Sequence, residues 1–305
     1  MITIEEQGAT TLITTAPRAN REPRIRIMSK DEYLHIESGE ILPLNHAAKN
    51  RQDNLKSLRR TMRELRAIIN TNTEHPERVL WLTFTYAENM TDPARLREDW
   101  DKAWKRFLYH FRVNGIDRPE YIIAAEPQAR GAWHLHALLI FPHHRPYIAN
   151  DETARIWRHG FTKTKALKDG DNIAGYLCAY LCDIDLREID NTTEKSILKG
   201  GRLYLYPVGF RLYRCSRGIA RPKRHEATAE EAEAVRSAQT CTGEYTIKFE
   251  DSETGYRSTI TKEWYRKPKE RQGEKEQGES AGRQEAGTAE EDGGRQDREP
   301  QKAPS

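Results

Sequence analysis

Two histidines alternate with apolar residues in the stretch Gly131-Ala132-Trp133-His134-Leu135-His136-Ala137-Leu138-Leu139-Ile140-Phe141. Side chains alternate faces along a strand, so His134 and His136 point to the same side, about 7 Å apart. Two imidazoles placed in this way can hold one metal ion between them, or each can be a core histidine satisfied by a hydrogen bond. Glu126 stands eight residues before His134. A hairpin centred on Arg130 sets Glu126 opposite His134 on the same face, and a slip of one residue turns it away. Glu, His and His with open coordination positions suit Mg²⁺ or Mn²⁺, with waters or phosphate oxygens completing the shell. Imidazoles also accept Zn²⁺, so the donors alone do not fix the metal.

A second group lies in Gly175-Tyr176-Leu177-Cys178-Ala179-Tyr180-Leu181-Cys182-Asp183. Tyr176 and Tyr180 are spaced to share one helix face, and Asp183 joins that face one turn on. Tyrosine is among the side chains that form covalent intermediates, but a phenol with a pKa near 10 needs a base or a metal-polarised substrate to act. Packing at a half-buried helix face explains the same spacing. Cys178 and Cys182 form a second pair on another side and read as core packing.

The surrounding elements must position these groups. Val79 to Tyr86 (VLWLTFTY) is rich in β-branched and aromatic residues and reads as a strand. Asp92-Pro93 is a helix start, and Leu96, Trp100, Trp104, Phe107, Leu108 and Phe111 then recur at helical spacing. Strands follow at 121–125 and 133–141, a helix at 151–159 stopped by Gly160, a strand at 161–166 and a helix at 172–182. Upstream, residues 1–22 read as polar and loose, 24–28 as a strand, and 33–44 as a hairpin around Ser38-Gly39. Asp53 caps a helix with the apolar stripe Leu55, Leu58, Met62, Leu65 and Ile69. Its other faces carry Lys56, Arg59, Arg60, Arg63 and Arg66, which read as a solvated surface. Downstream, 202–214 reads as a hairpin turning at Pro207-Val208-Gly209. Thr228 and Glu231 form a capping box, and 245–249 pairs with 256–264 around Glu253-Thr254-Gly255. Helices alternating with strands, with tight hairpins, describe an α+β fold in which helices flank a central antiparallel sheet, followed by a β-rich C-terminal extension.

Composition narrows the function classes. The 305 residues are 36% hydrophobic and 32% charged, against roughly 45–50% and 25% in ordinary soluble domains. No apolar run is long enough to span a bilayer. The opening MITIEEQGATT lacks the apolar core of a secretory signal. Four cysteines without a CxxC exclude a disulfide scaffold and a ribbon-type zinc site, and fit a reducing cytosol. The absence of GxxxxGK[ST] excludes a P-loop motor. From Lys267 to Ser305 there is no Val, Ile, Leu, Met or aromatic residue, the composition of a disordered tail. The formal charge is +3, and the tail carries more acid than base, so the remainder is somewhat more basic. That favours an anionic partner only weakly.

VLWLTFTY, WHLHALLIF and YLCAYLCD, in this order and spacing, resemble the three motifs of the HUH endonucleases, most of all the rolling-circle replication initiators of small phages, plasmids and mobile elements. The likeness runs from about Ser57 to about Pro222, roughly half the chain. It implies an antiparallel palm of the ferredoxin-like or RRM-like kind flanked by helices, with domain limits 1–50 (N-terminal extension), 51–190 (nuclease), 191–266 (β-rich DNA-binding extension) and 267–305 (tail). It implies that His134 and His136, with Glu126 as third ligand, hold Mn²⁺ or Mg²⁺. The resemblance also implies that Tyr176 or Tyr180 attacks single-stranded origin DNA, becomes joined to the 5′ phosphate and frees a 3′-OH for the host polymerase, with a host helicase opening the duplex in a bacterial cytoplasm. The family's two-tyrosine pattern reads Tyr-x-x-Lys-Tyr-x-x-Lys. Ala179 and Asp183 occupy the lysine positions here, and Lys163, Lys165 or Lys168 are candidates to replace them.

Basic residues interleaved with aromatics extend the expected contact with DNA. Arg202, Arg211, Arg214 and Arg217 alternate with Tyr204, Tyr206, Phe210 and Tyr213, a composition that holds phosphates and stacks bases. With Arg130, Lys163 and Lys165 they make the expected DNA-binding set: Arg130, Lys163, Lys165, Arg202, Arg211, Tyr213, Arg214 and Arg217. An amphipathic hairpin with exposed arginines gives the same pattern. Other readings of the whole chain are a transposase or relaxase of the same family, a DNA-binding relative with weakened catalysis, and an unrelated metal hydrolase.

Overall fold

In a computed structural model of the chain, the described residues are 1–17, 25–44, 55–128, 130–168, 174, 202–207, 209–250 and 257–268. Along the chain these form β1 (Ile2–Gln7), β2 (Thr10–Thr15), β3 (Ile25–Ile27), β4 (Glu32–His35), β5 (Ile41–Pro43), α1 (Leu55–Asn72), β6 (Val79–Thr85), α2 (Pro93–Val113), β7 (Glu120–Pro127), β8 (Trp133–Ile140), α3 (Asn150–Trp157) and β9 (Thr162–Ala166). Then come β10 (Tyr213–Cys215), β11 (Lys223–Ala227), α4 (Ala229–Ala238), β12 (Thr240–Glu250) and β13 (Arg257–Arg266). The fold is α+β, with helices against antiparallel sheets and a β-rich C-terminal region.

The central sheet has the order β10-β7-β8-β6-β9, every neighbouring pair antiparallel. Its inner strands are buried on both faces, which explains their near-continuous apolar sequences. One face meets α2 and α3 through a cluster of rings. Phe84 lies 5.8 Å from Trp100, 5.9 Å from Phe107 and 5.0 Å from Trp157, centroid to centroid. Burying a phenylalanine of this kind contributes roughly 1.5–3 kcal/mol. Asp92 caps α2 by accepting from Ala94 N at 2.8 Å, with Pro93 in the first turn. Leu58, Met62, Leu65 and Ile69 of α1 are buried in the same core. Asp53, expected to cap that helix, lies outside the described residues.

Helix α3 ends one step earlier than the sequence suggests. Arg158, at φ 70°, is the left-handed residue that closes it. Gly160 serves another purpose: a Cβ there would sit 2.3 Å from the carbonyl oxygen of Thr85, so only glycine lets the chain pass the end of β6.

A second sheet, β11-β1-β2-β13-β12, corrects the reading of residues 1–22 as loose. β1 and β2 are largely threonine, glutamate and isolated isoleucines, a composition weak in local signal. Their pairing is non-local: β1 pairs with β11 and β2 with β13. Ile4 and Ile13 point inward onto Ala232 of α4 and Tyr265 of β13. The β1–β2 turn uses Gly8 at φ 62°, where a Cβ would come within 2.6 Å of Asn70 O on α1. The capping box is present: Thr228 Oγ1 accepts from Glu231 N at 3.2 Å, and Thr228 N donates to Glu231 Oε2 at 2.8 Å. β3, β4 and β5 make a small separate sheet, as the Ser38-Gly39 turn implies.

The expected 202–214 hairpin is not formed. Residues 202–205 are a short 3₁₀ turn, and β10 pairs with β7. The physical reason is aromatic burial. Tyr206 and Phe210 pack on Trp133 at 5.5 and 5.0 Å, and the Tyr206 hydroxyl donates to Ala125 O at 2.9 Å. Anchored rings cannot face a hairpin partner. Among the described residues no helix is long and apolar enough to cross a membrane.

Candidate functional site

The β7–β8 hairpin sets the geometry. Its turn has Gly131 at φ 86°, and its register pairs Glu126 with His134 and Ala124 with His136. Strand β6 continues the row, pairing Thr85 with His134 and Thr83 with His136. β9 then pairs Lys163 with Thr83 and Lys165 with Trp81. Directly paired residues share a face. One face of the sheet therefore carries, from one edge to the other, Glu126, His134 and His136, Thr83 and Thr85, and the two lysines.

Contacts within this row are specific. His136 Nε2 is 2.7 Å from Glu126 Oε2, and its Nδ1 is 3.2 Å from Thr83 Oγ1. The second contact occupies the Nδ1 side and leaves Nε2 aimed at the carboxylate. Arg202 donates from Nη1 to Glu126 Oε1 at 2.7 Å and to Pro127 O at 3.3 Å. Glu126 and His136 are each only 5% exposed, so this is a buried polar cluster, which requires its partners. The Trp81 ring lies edge-on to His136 at 6.1 Å, and Lys165 Nζ sits 5.9 Å over the same ring.

His134 differs from its neighbour. Its Nε2 is buried and has no hydrogen-bond partner among the described residues. Burial holds its pKa below the ordinary imidazole value, outweighing the upward pull of Glu126, with His136 adding to the depression. A buried, neutral imidazole nitrogen without a partner is a donor suited to a cation. Among the described residues no three His, Cys, Asp or Glu side chains are already grouped as a metal centre. The direct Glu126–His136 hydrogen bond occupies the donor atoms that such a centre would share. In residue type, common face and the orphaned His134 nitrogen, the row fits a divalent ion.

The remaining expected residues separate. Arg202 is at the cluster, bound to Glu126. Lys163 and Lys165 flank it on the same face. Arg130 is exposed at the hairpin turn, its Nε 3.1 Å from Gln128 Oε1. Tyr213 is half-buried; burial foremost, with Glu64 beside it, pushes its phenol up to about 12. Arg214 lies on the α2 face of the sheet, paired with Asp101 at 3.0 Å, and is not part of the row. Arg211 and Arg217 are exposed. Tyr176, Tyr180, Cys178, Cys182 and Asp183 lie outside the described residues. Sequence reasoning missed Thr83 and Trp81. Their signal was available, because threonines two apart in the otherwise apolar VLWLTFTY mark a polar face.

A family model of replication-associated proteins, the ORF2 type, matches residues 79–185, about a third of the chain. The matched span contains β6, the β7–β8 hairpin, α3, β9 and the Tyr176–Asp183 segment. It lies inside the stretch that carries the HUH resemblance. Neither the search of curated proteins nor the search of solved structures gave a match.

Proposed function

We propose that this chain is a metal-dependent nicking and strand-transfer enzyme for single-stranded DNA that initiates rolling-circle replication. The observation that carries the reading is the row Glu126, His134, His136 on one sheet face, inside the span matched by a replication-associated family. In this reading Glu126 and the Nε2 atoms of both histidines hold Mn²⁺ or Mg²⁺. The ion, when bound, supplies Lewis-acid stabilisation of charge growing on the scissile phosphate.

The chain's own residues do the rest. Thr83 orients His136 through Nδ1, and Arg202 orients Glu126. Lys163 and Lys165 place positive charge beside the row, where the family's helix lysines are replaced by Ala179 and Asp183. The hydroxyl of Tyr176 or Tyr180 attacks phosphorus, the P–O3′ bond breaks, and the departing 3′ oxygen takes a proton. The ester left on tyrosine conserves the bond for rejoining, so no nucleotide cofactor is needed. Asp183 lies nearer Tyr180 in sequence and opposes its ionisation, which makes Tyr176 the expected first nucleophile.

The test uses single-stranded oligonucleotides labelled at either end, incubated with Mn²⁺ or EDTA and resolved on a denaturing gel. The reading requires a metal-dependent product with a 3′-OH that a polymerase extends, and its loss in His134→Ala. A His134→Ala protein that nicks as wild type overturns the metal assignment.

A further inference from the structure

The arginines of α1, which the sequence presents as a solvated face, stand over a groove in the second sheet. The groove has a volume of about 680 Å³, and its wall includes Arg60, Arg63, Arg224, Lys262 and Trp264. None of its lining residues falls within the family-matched span 79–185. Arg60 and Arg63 are one turn apart on α1, both exposed, and make no ion pair among the described residues, nor does exposed Arg224. The Asn70 Nδ2 hydrogen bond to Gln7 Oε1, at 3.0 Å, fixes the helix at the rim of the sheet.

The floor of the groove is aromatic. β13 alternates, with Glu263 and Tyr265 turned to α4 while Lys262 and Trp264 line the groove. Trp264 stacks on Tyr245 of β12, centroids 5.4 Å apart and planes 24° from parallel, and Lys262 Nζ lies 5.6 Å over the Tyr245 ring. Both rings are only partly buried. The acidic lining residues are Glu5 and Glu64; Gln7 donates to the first, and Arg221 lies 3.7 Å from the second. Positive charge on the rims with a flat ring between them is the arrangement that binds single-stranded nucleic acid, where phosphates meet arginines and a base stacks on the ring.

We infer that this groove is a second nucleic-acid site, which holds a single-stranded segment separate from any phosphate at the histidine row. A single strand is favoured over a duplex because stacking on Trp264 needs an unpaired base. Neither the tyrosines nor a metal takes part, so the groove binds whether or not the chain nicks.

The experiment measures fluorescence anisotropy of a labelled oligothymidylate with the full chain, in EDTA and across a range of salt. Arg60→Ala/Arg63→Ala should weaken binding at least tenfold and flatten the log–log salt slope by about 1.4, from roughly 0.7 for each phosphate of a single strand that is no longer neutralised. Trp264→Ala should weaken binding about tenfold with the slope unchanged, in line with the removal of one stacked base, and Trp264→Phe should restore most of it. His134→Ala should bind as wild type in EDTA, which separates this site from the proposed nicking site. Unchanged affinity and slope in the arginine variant overturn the proposal. So does a duplex that binds more tightly than the single strand and ignores Trp264→Ala, and so does loss of binding in His134→Ala.

Discussion

The central sheet and the second sheet are both five-stranded, yet they are held by different means. The central one is sandwiched by apolar surface and contributes most of a large core, with its polar groups gathered in one row. The second has a core cluster of four buried residues, Ile4, Ile13, Ala232 and Tyr265, and relies on a buried ionic cluster beside it. There Arg236 donates to Glu263 from Nε at 3.0 Å and from Nη2 at 2.7 Å, and Tyr265 donates to the same carboxylate at 2.9 Å. A thick apolar core can bear a desolvated polar row such as Glu126–His136. A thin sheet with one wet face is suited to broad surface binding instead.

The largest effect expected of this difference is on stability. Phe84→Ala removes a ring that meets three other rings and should cost about 4 kcal/mol, against about 2–3 for Ile13→Ala, whose small cluster can close over the gap. Urea unfolding of both variants checks the order. Equal losses would mean that the second sheet is packed as tightly as the first.

Arg202→Ala sharpens the comparison at the site. It frees Glu126 from its clamp without touching the apolar core. The expected outcome is a fall in metal affinity or nicking of about 10–100-fold, as for other groups that orient metal ligands, with Arg202→Lys recovering part of it. A change in unfolding midpoint equal to that of a core variant would instead give Arg202 a purely structural role.

The smallest effect belongs to the ionic cluster and depends on pH. The hydrogen bonds from Arg236 hold the Glu263 carboxyl below its ordinary 4.5. A depressed carboxylate contributes stability above its unfolded pKa and loses it as pH falls through its folded pKa. Wild type should exceed Glu263→Gln by about 2 kcal/mol at neutral pH, from hydrogen bonds to a charged group. The gap should shrink as pH drops below 4.5. A gap that is constant with pH would show that the charge is not what holds α4 to the sheet.

The same contrast explains what could be seen in the sequence. The central sheet is legible because its strands are long apolar runs and its hairpin is short. Counting from Arg130 is enough to pair Glu126 with His134, as the register has it. β1 and β2 are not legible, because their threonines mark no buried face and their partners lie more than two hundred residues away. The 202–214 segment misleads for another reason. Its alternation of basic and aromatic residues suits a hairpin, but Tyr206 and Phe210 are drawn into the core by Trp133. Arg202 could be named as basic and near the site. That it would clamp Glu126 follows only from a turn that local spacing does not encode.

The central claim is that tyrosine, assisted by the Glu126–His134–His136 row, forms a covalent bond to DNA. The direct measurement is a denaturing protein gel after incubation with a labelled single-stranded oligonucleotide library and Mn²⁺. The account predicts a DNA-linked protein band in wild type, weaker in Tyr176→Phe than in Tyr180→Phe and absent from the double variant, which keeps its fold because phenylalanine preserves the rings. A double variant that still carries labelled DNA, or a wild type that cuts DNA and never retains it, would contradict the account.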